Sequence, residues 1–219
     1  MSRPADIIAG MAVAAARQAA IGFRAHSGWA ALVAVVGSLD APEVIARRRI
    51  EIADPSIRGS KQPFHAAEPM EIAEARKHIA RCTSSTRRLS REAIRAAIEG
   101  LRDRRFETMD CGIVLASGRP LPKLDAILAS HALIHTAEGE FFRNALVEAA
   151  EHCGLTVVGV KERELFDRAA AQFHRPADEI ARRIAETGKA IGPPWTQDQK
   201  HATLAALIAL TTSTIGTGD

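Results

Sequence analysis

Ala137–Val160 reads AEGEFFRNALVEAAEHCGLTVVGV: a helix that Thr136 can cap and Gly154 stops, followed at once by the apolar run Leu155–Val160. Upstream, Cys111–Ala116 (CGIVLA) is another short unbroken apolar run, closed by Ser117-Gly118-Arg119-Pro120. Such runs suit central strands covered on both faces, and two of them joined by a long helix form a parallel βαβ unit. The N-terminal part has a different texture. Ile21–Val36 (IGFRAHSGWAALVAVV) reads as a strand ending in the turn Gly37-Ser38-Leu39-Asp40. Glu43–Ala53 then alternates, with Val44, Ala46, Arg48, Ile50 and Ile52 on one face and Glu43, Ile45, Arg47, Arg49 and Glu51 on the other. The two runs make a β-hairpin with a solvated edge. Asp54–Glu68 reads as a mobile loop, and helical spacing is expected over Pro69–Arg81, Ser90–Arg105, Leu121–Ser130, Arg163–Gln172, Ala177–Thr187 and Gln197–Leu210.

The expectation is a single α/β domain: a mixed sheet with an N-terminal β-hairpin and helices on both faces. We place it at residues 21–211, after an N-terminal helical extension over 1–20 (a helix from Ala5 to Ala20) and before a flexible tail over 212–219. The Ala-rich stretch Ile7–Ala15 loosely imitates a signal peptide, but Asp6 and Arg17 flank it closely, and it is too short to span a bilayer.

Composition narrows the function classes. The 219 residues carry 29 Lys and Arg against 26 Asp and Glu, a formal charge of +3, which permits an anionic partner without the charge of a dedicated nucleic-acid coat. Aromatic residues are 4% with no Tyr, which argues against a platform for stacking single-stranded bases. The three cysteines, Cys82, Cys111 and Cys153, are widely spaced and odd in number; they form neither a disulfide framework nor a CxxC motif and fit a reducing cytoplasm. There is no P-loop, GxGxxG or GxSxG pattern.

Several clusters could carry chemistry, each with a plainer reading beside it. Asp198 and His201 are three apart on one helix face and could share an ion; Asp198 could equally act as a capping acid. His131, His135 and Glu138 have spacings that would align them on an unbroken helix as a transition-metal site, although Thr136 and Gly139 threaten helix continuity. Glu138 and Glu140 lie in a polar, Gly-containing segment, His135–Arg143, between apolar stretches, and Arg143 suits a surface ion pair with Glu140. The Ser117–Pro120 turn offers backbone amides and Arg119 to a phosphate, or is simply a turn with a solvated Arg. Arg47 and Arg49 share a strand face and suit either backbone contact or an aggregation-resistant edge.

The element order resembles the ribonuclease H-like fold and, within it, the RuvC-type Holliday-junction resolvases. The resemblance is carried by Gly22–Val35 (GFRAHSGWAALVAV), similar to the family's first strand. Phe141–Val160 is similar to its helix leading into a later parallel strand, and Asp198-Gln199-Lys200-His201-Ala202 opens the last helix with an acid and a second ligand three residues on. As topology it covers residues 20–210. It implies metal-assisted attack of water on a phosphodiester of structured nucleic acid, with Mg or Mn as cofactor. The family's first strand carries a magnesium-holding Asp, whereas Ile21–Val36 contains no acid and offers only His26. Its central strand ends in a Glu, whereas here stand Leu115, Ala116 and Ser117.

The candidate set is therefore Glu140, Asp198 and His201 as catalytic residues and Glu138, Glu140, Asp198 and His26 as metal ligands. Arg119, Arg143 and Lys200 are the candidate substrate contacts. Two further readings stand beside it: a catalytically silent binding or assembly module of the same fold, and a small-molecule enzyme built on His131, His135 and the Glu138 region. No membrane partner is expected, and the oligomeric state is open.

Overall fold

A computed structural model describes residues 15–116 and 120–216 of the chain. Its five strands are β1 (Arg17–His26), β2 (Trp29–Ser38), β3 (Ala41–Glu51), β4 (Phe106–Leu115) and β5 (Thr156–Lys161). They form one sheet in the order β3-β2-β1-β4-β5, with β1–β2 and β2–β3 antiparallel and β1–β4 and β4–β5 parallel. The helices are α1 (Pro63–Ala67), α2 (Ile72–Arg102), α3 (Leu124–Leu128), α4 (His131–His152), α5 (Leu165–Phe173), α6 (Ala177–Ile191) and α7 (Gln197–Gly216). The mixed sheet, its hairpin and the parallel βαβ unit are as expected from the sequence.

Four local expectations are corrected. Arg17–Ala20, read as the end of an N-terminal helix, belong to β1, and the rest of that helix lies largely outside the described residues. Ile21–Val36 is two strands: Ser27-Gly28 turns the chain, and Gly28 adopts a φ of 83° that suits glycine. The helices expected over Pro69–Arg81 and Ser90–Arg105 are one helix of 31 residues. The Ser/Thr-rich segment between them does not interrupt it, because Thr83 Oγ1 donates to the Ile79 carbonyl and Ser85 Oγ to Asp54 Oδ2. Helix α4 starts at His131, not Ala137, and runs through Thr136 and Gly139 unbroken.

The sheet separates two cores. On one face Ile21, Phe23, Ala25, Cys111 and Ile113 pack with Ile94 and Leu101 of α2 and Phe142 and Leu146 of α4. On the other, Ala20 and Val114 pack with Leu165 of α5, Ile180 and Ile184 of α6, and Ala202–Ile208 of α7. Helix α7 is buried all round over Ala202–Ala209, as expected for a helix without a polar stripe.

What lets α7 lie this close is a pair of glycines. Gly22 and Gly112 are register partners on β1 and β4, and a Cβ on either would run into the α7 backbone at Ala202 or Ala205. Side chains alternate along a strand, so Ala20, Gly22, Arg24 and His26 share the α7 face of β1. The glycine that admits α7 therefore precedes, on the same face, the two polar residues that meet its first turn.

Candidate functional site

The C-terminal ends of β1 and β5 and the first turn of α7 converge on a charged cluster. Arg24, with a side chain only 15% exposed, places Nη2 2.6 Å from Glu162 Oε1 and Nε 3.6 Å from Asp198 Oδ1. His26 Nε2 lies 2.8 Å from the same Asp198 oxygen, and its ring stacks on Trp29 at 4.4 Å. The Arg49 guanidinium lies 3.9 Å over the far system of that stack, the Trp29 ring, while pairing with Glu51. His201 Nδ1 is 3.8 Å from Glu162 Oε1, and its Nε2 contacts Gln197 at 2.6 Å. Burial first, and then the Arg24 charge, hold the His201 imidazole below its ordinary pKa, so its neutral form is favoured.

Beside this cluster lies a pocket of about 260 Å³ lined by Arg24, His26, Gln62, His65, Glu138 and Arg143 among others. Arg143 donates from Nη1 to the Gly139 carbonyl at 2.6 Å, while its buried Nε, like that of Arg24, has no hydrogen-bond partner among the described residues. Burial, reinforced by the neighbouring Arg24 charge, pulls the Arg143 pKa down.

Glu138 is 4% exposed and turns towards α1. Its Oε1 accepts from the backbone N–H groups of Phe64 (2.8 Å) and His65 (3.1 Å) and lies 3.3 Å from His65 Nδ1. Burial pushes its pKa up and these hydrogen bonds oppose the shift.

The structure thus brings His26, Asp198 and His201 together, and sets Glu138 and Arg143 in the wall of the adjoining pocket. Glu140 instead lines a separate pocket of about 190 Å³ with Phe64, Phe141 and Glu148. Lys200 is half-buried in the first turn of α7, outside the first pocket's lining. Arg119 and the rest of Ser117–Arg119 lie outside the described residues. Arg47 donates to the carbonyls of Ile191, Gly192, Pro193 and Pro194, so it anchors the approach to α7 and is not a free backbone contact. Cys82, Cys111 and Cys153 are all free thiols, and burial raises the pKa of each, away from nucleophilic character.

No family model matches this chain, and neither does any curated protein. Among solved structures, it is similar to T. thermophilus RuvC in complex with a Holliday junction substrate, with a TM-score of 0.50 and 13% identity over 91% of this chain and 97% of that one. A second Thermus thermophilus RuvC structure aligns over the same shares at 13% identity and a TM-score of 0.48. The fold is ribonuclease H-like, of the RuvC type. At this identity the likeness concerns the fold alone.

Within the RuvC-like fold, three contributors to the site went unrecognised in the sequence: Arg24, Glu162 and His65. Arg24 had a signal, being a charge inside an apolar strand of a covered sheet. Glu162 had a weaker one, as the first acid past the end of a parallel strand, where open α/β sheets place ligands. His65 had none, because only tertiary structure brings it to α4.

The residues present do not fit a magnesium pair. Such ions need several oxygen ligands around one point. Here Asp198 and Glu162 already share the Arg24 guanidinium, and Glu138 is engaged by the backbone of α1. The group of potential metal ligands found among the described residues is three histidines, on the other side of the pocket.

Proposed function

We propose that this chain binds the phosphodiester backbone of a structured nucleic acid at the end of its sheet, without cleaving it through carboxylate-held Mg or Mn. The observation that carries the reading is Arg24, a guanidinium at the end of the first strand that pairs with both Asp198 and Glu162 and so takes up the carboxylates that would hold an ion. With the carboxylates taken up in this way, no ion bridge assembles water and phosphate for hydrolysis, and the Arg143 guanidinium beside Arg24 is the group left to receive a phosphate. Two further features support it. The Arg24 charge disfavours that of Arg143, and an anion beside Arg143 relieves the repulsion. Arg143 also keeps a buried Nε donor without a hydrogen-bond partner among the described residues, in the lining of the pocket. The similar T. thermophilus RuvC was solved with a Holliday junction, which makes branched DNA the first ligand to try.

The test is fluorescence anisotropy with labelled four-way junction, duplex and single-stranded DNA across a salt series, alongside a cleavage assay in Mg and Mn. Binding that weakens linearly in log salt is expected. Arg143→Gln should weaken it by about 10-fold, the scale of one charge-assisted hydrogen bond. The cleavage lanes should stay blank. Absence of salt-sensitive binding overturns the reading, and so does metal-dependent cleavage abolished by Asp198→Asn and Glu140→Gln, which would establish the hydrolytic alternative.

A further inference from the structure

We propose that His65, His131 and His135 form a binding site for a transition-metal ion of the zinc class, with Glu138 as the carboxylate that orients His65. The site is independent of the nucleic-acid reading.

Consider first what α4 contributes. His131 and His135 are four residues apart on an unbroken helix, which puts both rings on one stripe. Their Nε2 atoms are 3.0 Å apart. Two nitrogens on a tetrahedral ion with bonds of about 2.0–2.1 Å lie roughly 3.3 Å from each other, so the pair already has nearly the separation that a shared ion requires. Without an ion, one of the two must donate a proton to the other. With an ion, both can turn lone pairs inward.

The third ring arrives from α1. The His65 ring centroid lies 5.4 Å from that of His131 and 4.8 Å from that of His135, and one ligand nitrogen from each of the three residues falls within 4.8 Å of the others. The rings are steeply inclined to one another, by 82°, 68° and 83°, an edge-to-face arrangement that aromatic rings also prefer, so it is the separation of the ligand atoms that points to a metal.

The second, separate observation is Glu138. A metal-bound histidine commonly donates its other ring N–H to a carboxylate, which fixes the tautomer and strengthens the ligand. Glu138 Oε1 lies 3.3 Å from His65 Nδ1 and is itself held by two backbone N–H groups. That arrangement places the His65 proton on Nδ1 and leaves Nε2 with its lone pair. The carboxylate expected from the sequence to be a ligand is thus better placed as the group behind one.

Three neutral imidazoles suit zinc, cobalt, nickel or copper ions, not magnesium or calcium, which prefer oxygen. They also leave a coordination position open. His65 and His135 line the same pocket as Arg24 and Arg143, so that position is available to a water or to an oxygen of an anion held there.

The test uses tag-free full-length protein, stripped of metal with chelator and titrated with zinc by calorimetry and with cobalt by visible absorption. One equivalent of zinc per chain is expected, with the intense d–d bands of a tetrahedral cobalt site. His131→Ala and His135→Ala should each weaken zinc binding by about 100-fold or more. Glu138→Gln should weaken it by about 10–100-fold, as for other orienting partners. Both α4 histidines are exposed, so these variants should keep the wild-type circular dichroism, and zinc should raise the melting temperature of the wild type but not of the variants. The proposal is overturned if stoichiometric zinc binding is missing, or if it survives unchanged in folded His131→Ala and His135→Ala. DNA binding is scored separately in metal-free protein, so failure of either reading leaves the other standing.

Discussion

The two sides of the pocket next to the sheet end offer opposite chemistry. On the sheet side, Arg24, His26, Asp198, Glu162 and His201 form a closed ionic network in which each carboxylate already faces a guanidinium or an imidazole. On the helical side, His65, His131 and His135 form a cluster of imidazole nitrogens backed by one buried carboxylate. The difference teaches that carboxylates gathered at the end of a sheet do not by themselves make a cation site. A single guanidinium on β1 engages the carboxylates at the strand ends, whereas the histidines on α1 and α4 bring ligand atoms within 4.8 Å of one another.

The largest effect expected from breaking one side alone comes from Gly112→Val. A side chain there has nowhere to go but into the backbone of α7, so the helix must lift or the strand must bend. Overpacking of this severity costs about 3 kcal/mol or more. Chemical denaturation should show that loss. In any fraction that still folds, the α7 side of the network should be disrupted while zinc binding persists, because His65, His131 and His135 rest on α1 and α4. Loss of zinc binding in folded Gly112→Val would show that the two sides are one structural unit.

Arg24→Asp sharpens the same contrast. It removes the cation that Glu162 and Asp198 share and adds a third carboxylate beside them. Like charges now repel, so the melting temperature should fall by several degrees without divalent ions and recover in millimolar manganese. The wild type should show no comparable manganese dependence. Indifference of the variant to manganese would mean that Arg24 is not what keeps the sheet end from holding an ion.

The parallel βαβ unit was legible because Cys111–Ala116 and Leu155–Val160 are short apolar runs and Ala137–Cys153 is too long for a loop. The continuity of α2 was not, since the segment Cys82–Leu89 falls between the two helical stripes, and only the structure shows Asp54 accepting from Ser85 within it. Half of the sheet-side network was legible: Asp198 and His201 share a helical face, and His26 stood out as the polar ligand in the run Ile21–Val36, although the strand end at His26 was not read. Its other half was not, because Arg24 meets Glu162 across 138 residues of sequence, a separation at which no local pattern operates. The histidine cluster was legible as the pair His131 and His135. The expected ligand Glu138 proved to be an orienting group, and His65 took its place because the loop after β3 folds back into a short helix.

That loop provides a smaller test. Asp54 Oδ1 accepts from the Ser56 N–H (2.9 Å) and hydroxyl (2.6 Å), and its Oδ2 accepts from Ser85 of α2, which together lower its pKa to about 2. A carboxyl depressed in the fold stabilises it above the ordinary value of 3.8, and the contribution is lost as pH falls towards about 2. Asp54→Ala should therefore melt below the wild type at neutral pH, and the two melting curves should converge near pH 2. Because Asp54 ties down the segment that leads to His65, the variant should also bind zinc more weakly, while salt-sensitive DNA binding through Arg143 stays the same. Equal loss of both would place the loop under the whole pocket and not under its helical side.

The smallest expected effect concerns His201, where the sheet side is read through pH alone. Burial and the Arg24 charge keep its imidazole neutral in the folded chain below the ordinary value of 6.5. Above that value both folded and unfolded chains are neutral at this residue, and it contributes no pH dependence. As pH falls through 6.5, the unfolded chain takes up a proton that the folded chain resists, so stability declines with acidification. His78, buried in α2, shares the same direction for the same reason and gives the wild type part of its slope. His201→Gln should therefore remove one share and not the whole: melting temperature plotted against pH from 7.5 to about 5 should be shallower than in the wild type, and Arg24→Gln should flatten it too by removing the cation that opposes His201 protonation. A slope unchanged by His201→Gln would mean that this histidine does not sense Arg24, and that the ionic network ends at Asp198 and Glu162.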